Sequence, residues 1–280
     1  MSSALIGIPG IPQAVCQGCR GFDVPLRMRK SRELKRIRCS SHYQGGDWVA
    51  DDLGEPEAGT GDVSGLAKKE RSMTPSPQLS LSEETASQAE SIVNNLQQTD
   101  YQYTENIDVD LGVYDCDCNG FVGFVLERAA PNHYAIIPKE TDQPRPRAFK
   151  YYDFFSSLTP ESTGGWHQIY FLRDARRGDV VAWRFAEIEA GHDTGHVFFV
   201  AEKPRIIAAG IFAIRVYDSA DEPHFDDTRG NEDGEFASGV GSGFINFTVD
   251  DSGRPVAFQF APSENFVTLP IAIGRVEPLT

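Results

Sequence analysis

Residues 114–126 read YDCDCNGFVGFVL, placing two of the chain's five cysteines one residue apart, each beside an aspartate. A thiol reacts as its thiolate, and neighbouring carboxylates oppose that form. Chemistry at Cys116 or Cys118 therefore needs something local that favours an anion. The residues that follow supply it. Cys118, Phe121, Val122, Val125 and Ala129 fall at i, i+3, i+4, i+7 and i+11, which predicts one face of a helix from Cys118 to Ala130. Phe124 and Leu126 widen that face until the helix is apolar nearly all round, so it should be buried. Cys118 then lies in the first turn, where unpaired N–H groups and the positive end of the dipole favour an anion. Asp115 or Asp117 would cap the turn and have its oxygens occupied by backbone donors. Cys116 lies outside the helix, and a Cys116–Cys118 disulfide would close a strained ring.

A nucleophilic thiol needs a base, and the base needs an orienting group. His196 opens the strand HVFFVA, with His196, Phe198 and Val200 on one face. The next strand puts Phe212, Ile214 and Val216 on one face and ends in Asp218. If both faces cover the Cys118 helix, Cys118, His196 and Asp218 converge at one edge of the core. His224 is the rival to Asp218, in a stretch that reads as loop.

These elements must be placed by the rest of the chain. At 40% hydrophobic and 24% charged, 280 residues can bury a core. The net charge of −15 is uneven: residues 1–45 carry eight Lys and Arg against Asp23 and Glu33. The acidic remainder repels phosphate backbones, which argues against a nucleic-acid partner. No run approaches the roughly 18 apolar residues that cross a bilayer. Residues 1–79 read as a disordered basic tail followed by an acidic Gly/Ser/Pro linker. Cys16, Cys19 and Cys39 resemble half a zinc site with no second pair.

A folded domain over 80–280 is expected to open on a capped helix from Ser82-Glu83-Glu84. Pro131 stops the Cys118 helix. Residues 131–177 are rich in proline and aromatics, with a short helix at Tyr151 to Leu158; the aromatics Tyr151, Phe155 and Trp166 are core or cleft wall. Strands follow at Asp179–Phe185, His196–Ala201 and Ile211–Asp218, then a hairpin turning at Asp251-Ser252-Gly253, then a strand from Phe266 to Val276. The glycines of GVGSG (239–243) read as a flexible turn, and DEPHFDDTRGNEDGE as a solvated loop. One buried helix followed by antiparallel strands is an α+β pattern.

Three blocks carry a resemblance. DCNGFVGFVL is similar to the D-C-S-G-[FL]-V helix start of NlpC-type papain-like cysteine peptidases, with Asn119 in place of serine. GDVVAW at 178–183 and GHVFFV at 195–200 resemble two strands of that family and of the CHAP amidohydrolases of the same clan. The resemblance spans about residues 98–220. It implies a papain-like fold with 131–177 as an insertion, Cys118 as nucleophile and His196 as base, and points to Asp218 as the third member. It matches the family's upstream tyrosine to Tyr103, which with Asp117 is a candidate for oxyanion and substrate contacts. It implies amide hydrolysis without a cofactor, on a peptide or peptidoglycan stem-peptide fragment, in a secreted or cell-envelope setting. The rival readings are acyl transfer on the same scaffold, an inactivated binding module, and a zinc protein using Cys116, Cys118, His192 and His196.

If the first 77 residues form no part of the core, limited proteolysis should leave a resistant fragment beginning near Ser80. Loss of the folded domain on removing them would refute that boundary.

Overall fold

The computed structural model describes residues 79–189, 191–230, 236–261 and 264–279. The basic tail, the linker up to residue 78 and the Cys16/Cys19/Cys39 pattern lie outside the described residues.

The first helix, α1 (Leu81–Asn95), begins on a capping box. Ser80 Oγ accepts from the Glu83 N–H, and the Glu83 carboxylate accepts from the Ser80 N–H at 3.1 Å. Ala86, Ala89 and Ile92 give it a buried face. Three short strands follow, β1 (Gln98–Asp100), β2 (Asn106–Asp108) and β3 (Val113–Asp115), forming a small sheet in the order β1-β3-β2. Next is α2 (Cys118–Ala129), in which Phe121, Val122, Val125 and Leu126 are all fully buried. Pro131 has no N–H to continue it and starts a separate short helix, α3 (Pro131–Ala135). The 131–177 segment forms the helix expected at Tyr151 to Leu158 as α4 (Ala148–Ser157), starting three residues earlier, and adds β4 (Trp166–Gln168). Its aromatics Tyr151, Phe155 and Trp166 are fully buried, so they are core and not cleft wall.

The remaining strands are β5 (Val180–Arg184), β6 (Gly195–Val200), β7 (Arg205–Ala208), β8 (Ile211–Ala220), β9 (Gly239–Val249), β10 (Pro255–Gln259), β11 (Val267–Thr268) and β12 (Ile271–Val276). With β4 they make a nine-stranded antiparallel sheet in the order β11-β10-β9-β8-β6-β5-β12-β4, with β7 paired to the outer half of β8. The strand expected from Phe266 to Val276 is broken, because Leu269-Pro270 ends β11 and proline cannot donate to a ladder. β11 pairs at one end of this order and β12 lies near the other, only two residues later. The sheet must therefore curl on itself. Trp183 of β5 stacks on Phe258 of β10 at 3.8 Å between ring centroids, across three intervening strands.

Period-two alternation divides the sheet residues between two cores. Val180, Ala182, Val197, Phe199 and Tyr217 pack with α2 and α4. Trp183, Phe198, Val200, Ile214, Val216 and Phe258 fill the inside of the curl. The architecture is α+β, with helices on an antiparallel sheet. GVGSG is not a flexible turn: it is the first half of β9 and is buried. Its glycines are needed for close approach. A Cβ at Gly241 would meet the Arg229 side chain at 2.6 Å, and one at Gly243 the His224 Cβ at 2.6 Å.

Two substitutions test this account of local structure. Ser80→Ala should cost about 1 kcal/mol by urea denaturation, through loss of the capping box. Gly195 enters β6 at φ 130° and a Cβ there would collide with the Trp183 carbonyl oxygen, so Gly195→Ala should cost more than Ser80→Ala. The reverse ranking would contradict it.

Candidate active site

Asp117 is the N-cap of α2, its Oδ1 accepting from the Gly120 N–H at 2.7 Å. The same carboxylate accepts from Arg145 at 2.9 Å and from Asn119 Nδ2 at 3.1 Å. Asp115 does not cap the turn; its Oδ2 accepts from Gln98 and Asn106, each at 2.9 Å. Cys118 therefore does sit in the first turn of a capped helix.

The sheet opens to receive it. β6 and β8 pair only at Phe199↔Tyr217 and Val200↔Val216. Beyond that point the two strands part, and the chain leading into α2 fills the split. On one lip, Ser219 Oγ of β8 donates to the Cys116 carbonyl at 2.6 Å. On the other, the backbone N–H of Val197 in β6 favours the Cys118 thiolate. The segment leading into Cys118 thus enters between the strands that carry His196 and Asp218.

The sequence expectation fails on one point of geometry. The faces bearing His196 and Asp218 do not cover α2. Val197, Phe199 and Tyr217 do, with Phe199 edge-on to Phe121. The His196 ring leaves β6 on the other side, among Trp183, Phe198 and Phe260. Among the described residues, no hydrogen bond joins Cys118 to His196. The thiol is also not poised as an anion. Burial pushes it well above the usual thiol range, and the charges of Asp117, Asp193 and Asp218 push the same way against the Val197 N–H. Capping leaves the Asp117 charge in place, so a helix N-terminus does not outweigh complete burial here. Cys116 is likewise pushed up, chiefly by burial.

Asp218 is fully buried and organises the rest. Its Oδ2 accepts from His196 Nε2 at 2.8 Å and from His224 Nε2 at 2.7 Å, and its Oδ1 from Arg229 at 3.1 Å. Arg229 is fixed in turn by both oxygens of Asp227 and by the Gly239 carbonyl. The remainder of the acidic loop to residue 235 lies outside the described residues, but the part that carries His224 and Arg229, residues 221–230, is no solvated excursion. It is tied to β9 through Phe225–Phe244 and Thr228–Ser242 bonds, and the His224 ring stacks on Phe260 at 4.9 Å. Asp218 and His224 are thus not alternatives, since one carboxylate oxygen joins His224 to His196. Burial alone would raise the Asp218 carboxyl. The charges of His224 and Arg229 and the two histidine hydrogen bonds override it and hold the group well below the usual range. An ionised carboxylate only accepts, so both Nε2 atoms carry hydrogen. His196 Nδ1, the nitrogen not bonded to Asp218, is then the one that takes a proton.

His196, Asp218 and His224 are also the side chains that could meet at a metal, with ligand atoms within 4.8 Å of one another. Their separations of 2.8 and 2.7 Å are hydrogen-bond lengths, shorter than the about 3.3 Å between ligands of a tetrahedral zinc. Arg229 already neutralises the carboxylate, so the cluster is a hydrogen-bonded one. The zinc set Cys116, Cys118, His192 and His196 is not gathered; the His192 side chain is 71% exposed.

Two cavities lie beside these residues, neither of them lined by Cys118. One, of about 310 Å³, is lined by Asp117, Asn119, Arg145, His192 and Asp193. The other, of about 160 Å³, is lined by His196 and aromatic side chains. Tyr101 lines both, and its phenol is raised first by burial and then by Cys118. Tyr103, the tyrosine singled out from the sequence, is 66% exposed and edge-on to Tyr101 at 6.0 Å. Tyr101 is the half-buried partner. Nothing in YQY distinguishes the two, and nothing marks Arg145 or Arg229, whose partners lie 28 and 11 residues away.

The Asp218 cluster makes stability depend on pH in a definite direction. Its folded pKa is lowered, so the contribution is complete above the unfolded value of about 3.9 and is lost as pH falls through the lower folded value. Asp218→Asn should flatten the pH dependence of unfolding below about pH 4. Arg229→Met, which leaves the buried carboxylate short of its cation, should cost about 3–5 kcal/mol at neutral pH by urea denaturation. An Arg229→Met protein as stable as wild type would overturn this description.

No family model matches the chain, and no solved structure matches it. An uncharacterized protein of Acanthamoeba polyphaga mimivirus is 25% identical over 209 residues, an alignment covering 64% of this chain and 88% of the relative.

Proposed function

We propose that the chain is a thiol hydrolase acting on an amide bond, built on a papain-like scaffold of the NlpC type. The observation that carries the reading is the split between β6 and β8: the segment entering Cys118 is tied there by Ser219 to the Cys116 carbonyl, between the strand bearing His196 and the strand bearing Asp218. Two features of the pair suit catalysis. Asp218 fixes the His196 tautomer with Nδ1 as the basic nitrogen, and the Val197 N–H offers a donor to the sulfur as it becomes anionic.

The resting thiol is protonated, so His196 acts as a general base at the moment of attack and not as half of a standing ion pair. Cys118 Sγ must first come within hydrogen-bond reach of His196 Nδ1. Sulfur then adds to the carbonyl carbon as its proton passes to Nδ1. The Cys118 backbone N–H, at the open end of α2, and the Tyr101 hydroxyl are the candidate donors to the oxyanion. His196 returns the proton to the leaving amine, giving a thioester. Water resolves it to the acid with His196 again as base; an amine in place of water would make the same site an acyltransferase. Peptide and peptidoglycan stem-peptide amides are the substrates that the family resemblance suggests.

A second reading is favoured by one observation. Cys118 is 2% exposed, with no bond to His196, as in a binding module that has kept the scaffold without the chemistry.

A peptidyl acyloxymethyl ketone separates the two readings, because it alkylates only a thiol that attacks its carbonyl-activated carbon. The adduct, mapped by mass spectrometry, should fall on Cys118. Amide hydrolysis should vanish in Cys118→Ala with the thermal transition retained, and stay within about threefold of wild type in Cys116→Ala. Adduct on Cys116, or no adduct under conditions that label papain-like enzymes, would favour the binding module.

A further inference from the structure

The smaller cavity has a composition that the hydrolase reading does not use. Its walls are the rings of Tyr101, Trp183, Phe185, Phe258 and Phe260, and His196 forms part of its lining. Three carboxylates, Asp193, Asp221 and Glu222, complete it. Among the described residues, no Lys or Arg lies within salt-bridge distance of any of the three. They act on one another instead. The Glu222 carboxyl is raised first by burial and then by Glu264 and Asp221. Opposing them, only His196 and His224 act on Glu222 with the other sign, so these exposed acids stand around an aromatic-walled cavity with no Lys or Arg to pair them.

A second observation points the same way. His196 is 93% buried, its exposure being 7%, and Asp218 occupies its Nε2. Its Nδ1 has no partner among the described residues, and the ring lines this cavity. A group bound here therefore lies against the reacting nitrogen.

We propose that the cavity seats a cationic group on an apolar stem, the ammonium or guanidinium of a lysine- or arginine-type residue adjoining the scissile amide. Aromatic faces attract such a cation and accommodate its methylenes, while the carboxylates supply the countercharge. At about 160 Å³ the space suits one side chain; sites for drug-sized ligands run about 300–1,000 Å³. A hydrated calcium ion is a poorer occupant, since it needs six to eight oxygen ligands and five of the walls are rings. The assignment of this group as part of a substrate rests on the hydrolase reading; the binding itself does not.

The test uses the full chain carrying Cys118→Ala, titrated calorimetrically at low salt with acetyl-Ala-X-Ala-amide, where X is Lys, Arg, norleucine or Glu. Lys and Arg peptides should bind at least about tenfold tighter than the norleucine peptide, and the Glu peptide weakest. The preference should shrink in about 0.5 M NaCl and in Glu222→Gln and Asp221→Asn backgrounds, whose thermal transitions report folding. Norleucine binding as well as lysine, or no peptide binding at all, overturns the proposal, as does a preference unmoved by both substitutions. Turnover by the Cys118-containing protein separates the two claims. Cation-selective binding without cleavage removes the hydrolase and keeps the cation site; cleavage without selectivity does the opposite.

Discussion

A fully buried carboxylate is among the most expensive groups a fold can carry, and Asp218 dictates much of what surrounds it. Three donors converge on its two oxygens, from His196, His224 and Arg229. Only His196 comes from the neighbouring strand. The others must be brought over by the chain after β8, so that loop is pressed onto β9. This contact leaves no room for side chains on β9 at Gly241 and Gly243, and at Gly239 a Cβ would strike Thr99. Thr99 in turn accepts from the Val240 N–H and donates to the Tyr114 carbonyl, linking the small sheet to the large one. One buried charge thus accounts for the glycines at 241 and 243 and for the docking of residues 221–230 on β9.

The same region shows two stabilising demands in conflict. Placing the segment before α2 in the split gives the Ser219 hydroxyl of β8 the Cys116 carbonyl as its acceptor and brings the Cys118 thiol under the influence of the Val197 N–H of β6. This buries the thiol completely and surrounds it with carboxylates. The helix N-terminus and the Val197 donor favour the thiolate, but desolvation is the larger influence and the thiol stays protonated. Packing and reactivity pull in opposite directions at one atom.

The parts legible in the sequence were those set by local periodicity and capping. The Ser80 capping box, the apolar helix from Cys118, the break at Pro131 and the buried strands β5, β6 and β8 all follow from residue spacing. What escaped depends on long-range placement. GVGSG reads as a turn because its glycines look permissive, whereas they are small because Arg229 and His224 lie against them. Tyr101 and Tyr103 are equivalent two residues apart until the fold half-buries one and leaves the other exposed. The choice of sheet face for His196 failed for a related reason. Alternation shows which residues share a face but not which face meets a helix, and in β6 both faces are buried.

The charge distribution joins these points. Asp117 is neutralised locally by Arg145, and Asp218 by Arg229. Asp193 has no such partner among the described residues, yet its charge is one of those holding the Cys118 thiol protonated. It also lines both cavities. A cation bound beside Asp193 would offset that charge and lower the cost of forming the thiolate only when the site is filled. Burial is still the larger cause, so pairing Asp193 would ease formation of the thiolate during attack without creating a standing thiolate.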